Sequence, residues 1–283
     1  MRSLLLDIAS AFNNVYSGWI WWNLFLAFVP LLLSYGLFRN QVIPRVWFFA
    51  AWVVVVATGV VGLWPRIPRL MWGWSNIVGD GGAVTLLQLL WLLVVIAIAA
   101  AMSIAIFHKK QTSQGWLWWV GLAMFLAFLP NAPYVLTDII HLIRGTSAGQ
   151  TPIWVVALVF IPIHAVAILL GFQAYVISIL NLAIYLKQQG AKALILPIEL
   201  TIHALCAVGI YLGRFLRFNS WDLVVAPTDV ITDTLDVLTS RRPVAVMVVT
   251  FLILASLYWL MKQITLGLKL RIRYARQGLD ALD

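Results

Sequence analysis

The chain has 283 residues, 63% of them hydrophobic and 10% charged, with a mean hydropathy of +0.97. A soluble domain carries roughly a quarter charged residues, so this chain has too little polar surface to face water. Its net charge of +9 comes from Lys and Arg spread over connections and the C-terminal tail, which suits membrane topology and speaks against nucleic acid as a partner.

A helix needs about 20 mainly apolar residues to cross the hydrocarbon. On that rule the chain reads as an all-α integral membrane protein, one membrane domain over 1–283. Residues 1–18 show no small-residue cleavage site after an apolar core and read as a short interfacial segment. Seven spans follow, at 19–38, 44–64, 83–107, 116–143, 152–186, 193–212 and 243–261. Tryptophans gather at the ends of runs, as in WIWW (Trp19 to Trp22) and WLWW (Trp116 to Trp119), where an indole sits well at headgroup depth. The single cysteine, Cys206, excludes an intrachain disulfide and reads as a small packing residue.

The fourth span carries FLAFLPNAPYVLTDIIHL, Phe125 to Leu142. Pro130 and Pro133 lack an amide hydrogen, so the helix is expected to kink or break around Asn131, whose side chain can satisfy the freed carbonyls. If helix resumes near Tyr134, then Tyr134, Asp138 and His141 fall at i, i+4 and i+7, on one face. Discontinuous helices of this kind form substrate and ion sites in transporters. A plain proline kink followed by an interfacial turn explains the same residues without a ligand.

In the fifth span His164 follows Pro162 and is expected at a depth broadly similar to His203, where the two can face each other. The sixth span places Glu199, His203, Cys206, Arg214 and Arg217 within roughly 80° of one another at about 100° per residue. Glu199 and His203, four apart, can touch, and a carboxyl–imidazole pair can exchange protons near neutral pH. Arg214 and Arg217 are candidates for an anionic group, a lipid headgroup included, because guanidinium favours bidentate contact; snorkelling to the headgroups is the plainer role. Asp138, His141, His164, Glu199 and His203 are ligand types that Zn or Fe accept, although no tight spacing accompanies them. PTDVITDTLDVL, starting at Pro227, reads as an amphipathic interfacial helix over about 228–240, with Thr228 as its cap.

With seven spans, one side receives eight Lys and Arg and seven of the ten acids, and the other side receives eleven Lys and Arg. The balance places the N-terminus outside and the C-terminus in the cytoplasm.

LPNAPYVLTDIIHL (Leu129 to Leu142) and GIYLGRFLRFNSWD (Gly209 to Asp222), with GFQAYVISI (Gly171 to Ile179) in support, resemble a bacterial family of polytopic membrane proteins known only as a domain of unknown function. The resemblance covers about 83–261. It implies a bacterial integral membrane protein of the inner membrane, and no reaction, substrate or cofactor.

Three functions fit these residues. The first is a carrier or binding protein for a small polar or anionic ligand, using an acid–histidine site open to the outer side. The second is an accessory or assembly subunit whose polar residues lock helices together. The third is an intramembrane enzyme acting on a lipid or lipid-linked substrate, with acid–base or metal chemistry. They rank in that order, with a non-enzyme preferred and the lipid bilayer as the constant partner.

Overall fold

The computed structural model describes residues 19–39, 43–68, 90, 93, 115–147, 151–218 and 227–278. No strand occurs among them. Their helices are α1 (Trp19–Phe38), α2 (Arg45–Leu63), α3 (Trp116–Arg144), α4 (Ile153–Gln188), α5 (Lys192–Leu216), α6 (Pro227–Thr239) and α7 (Arg241–Ala275). All except α6 are long and apolar enough to cross a bilayer, which makes an all-α membrane bundle. The expected span at 83–107 lies outside the described residues except for Leu90 and Leu93, as does the segment 1–18. Helix α6 occupies the place of the expected amphipathic helix and begins at Pro227.

Helix α1 packs against α2, α3 and α4, while α5 packs on α7 and on the stretch of α3 around its prolines. The main apolar core joins Leu33 of α1, Phe125 and Leu129 of α3, Ile179 of α4, Ile210 of α5 and Leu254 of α7. Outward faces are apolar too: Val46, Trp47 and Val54 of α2 and Leu252 and Trp259 of α7 are exposed. A soluble monomer rarely shows so much apolar surface; in lipid it is the expected exterior.

Association of helices in lipid relies on close van der Waals approach, which small residues permit. Gly209 and Gly213 provide this on α5. A Cβ on Gly209 would lie 2.8 Å from Pro130 Cβ, and one on Gly213 would lie 3.0 Å from a Tyr134 ring carbon. Two residues four apart on α3 thus rest over two glycines four apart on α5. On the opposite side of α3, Gly171 of α4 receives Val135 at 3.0 Å. Between α1 and α2, Gly62 leaves room for the Trp22 backbone, which stands where a Cβ would be.

The fourth crossing, expected to kink or break, is interrupted without unwinding: its α-helix stops at Phe128 and resumes at Asn131. Pro130 (φ −59°, ψ −24°) and Val135 (φ −56°, ψ −26°) both keep right-handed helical torsions, so no stretch around Asn131 is unwound. The chain absorbs two missing amides by tightening: Ala132 N–H donates to Leu129 O at 3.1 Å, and Val135–Asp138 forms a 3₁₀ turn. Asn131 Nδ2 donates to Phe128 O at 3.0 Å, the role its position implied. Helix α7 also departs from expectation by continuing past Met261 to Ala275. No proline interrupts that stretch, and its Leu, Lys and Arg residues favour helix.

Candidate functional site

Among the described residues, the buried acids and histidines gather at two centres inside the bundle. The first surrounds Arg214, near the end of α5. Its Nη2 pairs with Asp138 Oδ1 at 2.9 Å and also donates to Thr137 Oγ1. Its Nε donates to Thr137 Oγ1 at 3.0 Å, and its Nη1 lies 3.1 Å from His141 Nε2. The guanidinium carbon stands 4.4 Å from the centroid of the Tyr134 ring, and Tyr134 Oη donates to Gly213 O at 3.4 Å. Asp138 is only 1% exposed, and its second oxygen accepts from Asn23 Nδ2 of α1 at 2.8 Å. An isolated buried carboxylate costs several kcal/mol; here a cation and an amide offset that cost from two different helices.

The aromatic wall of this centre is Trp19. Its ring centroid lies 4.6 Å from that of His141 and 5.5 Å from that of His164. His164 Nδ1 faces Phe160 O at 2.9 Å, within the first turns of α4, where a π turn at Val156–Phe160 precedes Pro162. The expected face of Tyr134, Asp138 and His141 is thus the face that meets Arg214.

The second centre surrounds Glu199. Lys262 Nζ of α7 contacts Oε1 at 2.6 Å and Oε2 at 2.9 Å, and Tyr258 Oη donates to Oε1 at 2.7 Å. One turn further along α5, His203 Nδ1 lies 2.6 Å from Tyr175 Oη of α4. The His203 and Tyr258 ring centroids are 4.7 Å apart. Cys206 is buried beside Tyr175.

Three expectations are corrected by this geometry. Glu199 and His203 do not bond each other: the carboxylate is taken by α7 and the imidazole by α4, because both flanking helices offer better-placed partners. His164 does not face His203. It belongs with Trp19 and His141, whereas His203 meets Tyr175, eleven residues along α4, or about 16 Å of helix rise. The third concerns Arg214 and Arg217, which do not form a joint pair. Residues Leu212–Leu216 form a π turn, which breaks the 100° step behind the predicted stripe, and Arg217 leaves the helix exposed in a left-handed conformation (φ 64°).

The two surfaces of α3 and α5 therefore meet, and their polar residues join around Arg214. Glu199 sits fifteen residues before Arg214 on α5, or about 22 Å by helix rise, so the five titratable residues do not share one pocket. Among the described residues there is no group of three or more His, Cys, Asp or Glu able to hold a metal ion. At the first centre the guanidinium occupies the place between Asp138 and His141 that a cation would take.

Sequence reasoning passed over Asn23, Thr137, Tyr175, Tyr258 and Lys262. Asn23 carried a usable signal, since an amide in an apolar run seeks a partner inside the bundle. Lys262 was hidden because it immediately follows the expected end of the last span, where a lysine reads as an anchor.

A family model described as protein of unknown function (DUF1361) matches residues 91–256. Asp138, His141, His164, Glu199, His203 and Arg214 lie inside that range, and Asn23, Tyr258 and Lys262 lie outside it. No curated protein and no solved structure matches the chain.

Proposed function

The chain belongs to this family of proteins of unknown function, and we propose that it binds and carries a small anionic ligand together with a proton at the Asp138–His141–Arg214 centre. In this reading it is a bacterial inner-membrane protein with its N-terminus outside and its C-terminus in the cytoplasm, and the centre opens to the outer side.

The supporting observation is the 3.1 Å approach of Arg214 Nη1 to His141 Nε2. A guanidinium only donates, so that imidazole nitrogen accepts, and the ring is neutral in this state. A proton placed on Nε2 sets two donors and two cations against each other. An anion between them removes the repulsion. Proton and anion therefore favour each other's binding by the same factor. Net charge is conserved as well: a carboxylate and a guanidinium balance before loading, and an added proton and monoanion balance after it. At bilayer depth an unbalanced charge costs several kcal/mol. Arg144, three residues past His141 on α3, adds a further cation nearby. The Tyr134 ring backs the guanidinium, and Asn131 supports the turn that carries Tyr134.

The test is thermal melting of purified protein in lipid nanodiscs, with inorganic phosphate or acetate, at about pH 5.5 and about pH 7.5, on either side of an unperturbed imidazole. Phosphate is expected to raise the melting temperature more at the lower pH. His141→Gln keeps an acceptor for Arg214 but takes up no proton, and is expected to lose that difference. A wild-type protein indifferent to both anions at both pH values removes this reading.

One observation favours the accessory-subunit role instead. Both oxygens of Asp138 and both of Glu199 already have partners, as in polar cross-links between helices. On that reading Asp138→Asn and Glu199→Gln weaken folding or assembly, and no anion alters melting.

A further inference from the structure

Helix α7 is 35 residues long, and roughly 20 suffice to cross the hydrocarbon, which leaves about 22 Å of helix over. Among the described residues, the last side-chain bond from α7 to the bundle is at Thr265, whose Oγ1 accepts from Gln173 Nε2 of α4 at 2.9 Å. Beyond it Leu266, Leu268, Leu270, Ile272 and Tyr274 are exposed, and so are Lys269, Arg271, Arg273 and Arg276. None of those four cations has an ion pair among the described residues, and no acid occurs from Lys262 to Gly278. Lys262 itself is taken by Glu199.

The order of these residues narrows what covers them. At about 100° per residue, Lys262, Lys269, Arg273 and Arg276 fall within roughly 60° of one another, and Arg271 falls on the opposite side. Leu266, Leu270 and Tyr274 make a row along one edge of that basic stripe, and Ile264, Leu268 and Ile272 make a row along the other. In water both apolar rows would stay uncovered, and ten residues on their own are too few to hold a helix. A nucleic acid or an acidic protein docked on one face would leave cations or apolar rows unused on the others. A headgroup layer surrounds the helix on every side. Its acyl boundary receives the apolar rows, while the Lys and Arg stems extend to phosphates all round.

We propose that residues 266–276 form a binding site for anionic lipid headgroups in the leaflet from which α7 emerges. Four uncommitted cations directly beside a span reach the number at which basic clusters hold anionic lipid. The interleaved leucines and Tyr274 keep the segment at headgroup depth. This site is independent of what the Asp138–His141–Arg214 centre binds, and of the side of the membrane on which α7 ends.

Hydrogen exchange of the backbone amides of 266–276, read by mass spectrometry on the full chain in nanodiscs holding one protein molecule, tests the idea. Discs of phosphatidylcholine are compared with discs of the same acyl chains that include phosphatidylglycerol. Exchange is expected to slow about tenfold or more in the anionic discs. In about 1 M salt, where the Debye length is about 3 Å, that difference should vanish. Lys269→Gln, Arg271→Gln, Arg273→Gln and Arg276→Gln combined keep the apolar rows, and this variant is expected to exchange at one rate in both discs. Equal wild-type rates in the two discs overturn the proposal, as does a difference that the fourfold variant retains. The salt arm on wild type decides the matter if that variant fails to fold: a difference that survives salt overturns the proposal. Slow exchange seen only in discs with two protein molecules assigns the segment to a second copy and overturns it too.

Discussion

Pro130 of α3 rests directly on Gly209 of α5: a β-carbon at Gly209 would come within 2.8 Å of the proline Cβ and 2.9 Å of its Cγ. Both atoms belong to a ring closed on the backbone, so the neighbour cannot swing aside as a long side chain does. Gly209→Ala should push the two helices apart at a cost of about 1–3 kcal/mol. Thermal melting in detergent measures it, and an unchanged melting temperature would show that this contact is not tight.

Asp138 and Arg214 should behave as a coupled pair. Removing either one alone leaves a buried partner uncompensated, at about 3–5 kcal/mol. The double variant Asp138→Leu with Arg214→Met removes both charges and should be less destabilised than the sum of the singles, by about 1 kcal/mol or more. Strict additivity in a double-mutant cycle would separate the two residues energetically.

Cys206 is a reporter built into the chain. It is the sole cysteine, it is 1% exposed, and it sits beside Tyr175 behind the Glu199–Lys262 pair. Maleimide labelling of the folded wild type should be slow. Glu199→Gln exchanges the ion pair for a weaker contact between α5 and α7, and should raise the labelling rate about tenfold through local opening. Equal rates in the two proteins would mean that this pair does not guard the thiol.

Gly267 offers the reverse case to Gly209. Nothing lies within 4 Å of where its Cβ would stand, and it sits inside the continuous helix that runs to Ala275. Gly267→Ala should stabilise that extension by about 1 kcal/mol, slowing local amide exchange roughly fivefold while leaving global melting unchanged. Faster exchange would contradict a helix at this point.

The crossings were legible because hydropathy and length act locally: α1, α2, α4 and α5 begin and end within a few residues of their expected places. The face of Tyr134, Asp138 and His141 was legible for the same reason, since helical phase survives a proline turn that stays right-handed. Partner choice was not. Glu199 and His203 satisfy the spacing rule for contact, but whether they touch depends on Lys262 and Tyr175, which arrive from helices distant in the chain. Helical phase also misled at Arg217, where a π turn shifted the register. Depth estimates for His164 failed because they were counted from span ends, and α4 runs for 36 residues, well beyond the roughly 20 a crossing needs, so its end does not mark the edge of the bilayer.

Helix α5 has a length that its two partners both read. Arg214 must reach Asp138 while Glu199 reaches Lys262, and fourteen residues of nearly rigid helix lie between them. Inserting one alanine between them would advance one half by about 1.5 Å and turn it by about 100°, so one bond could form only at the expense of the other. The interval acts as a ruler: a screw motion of α5 large enough to break one grip is felt at the other.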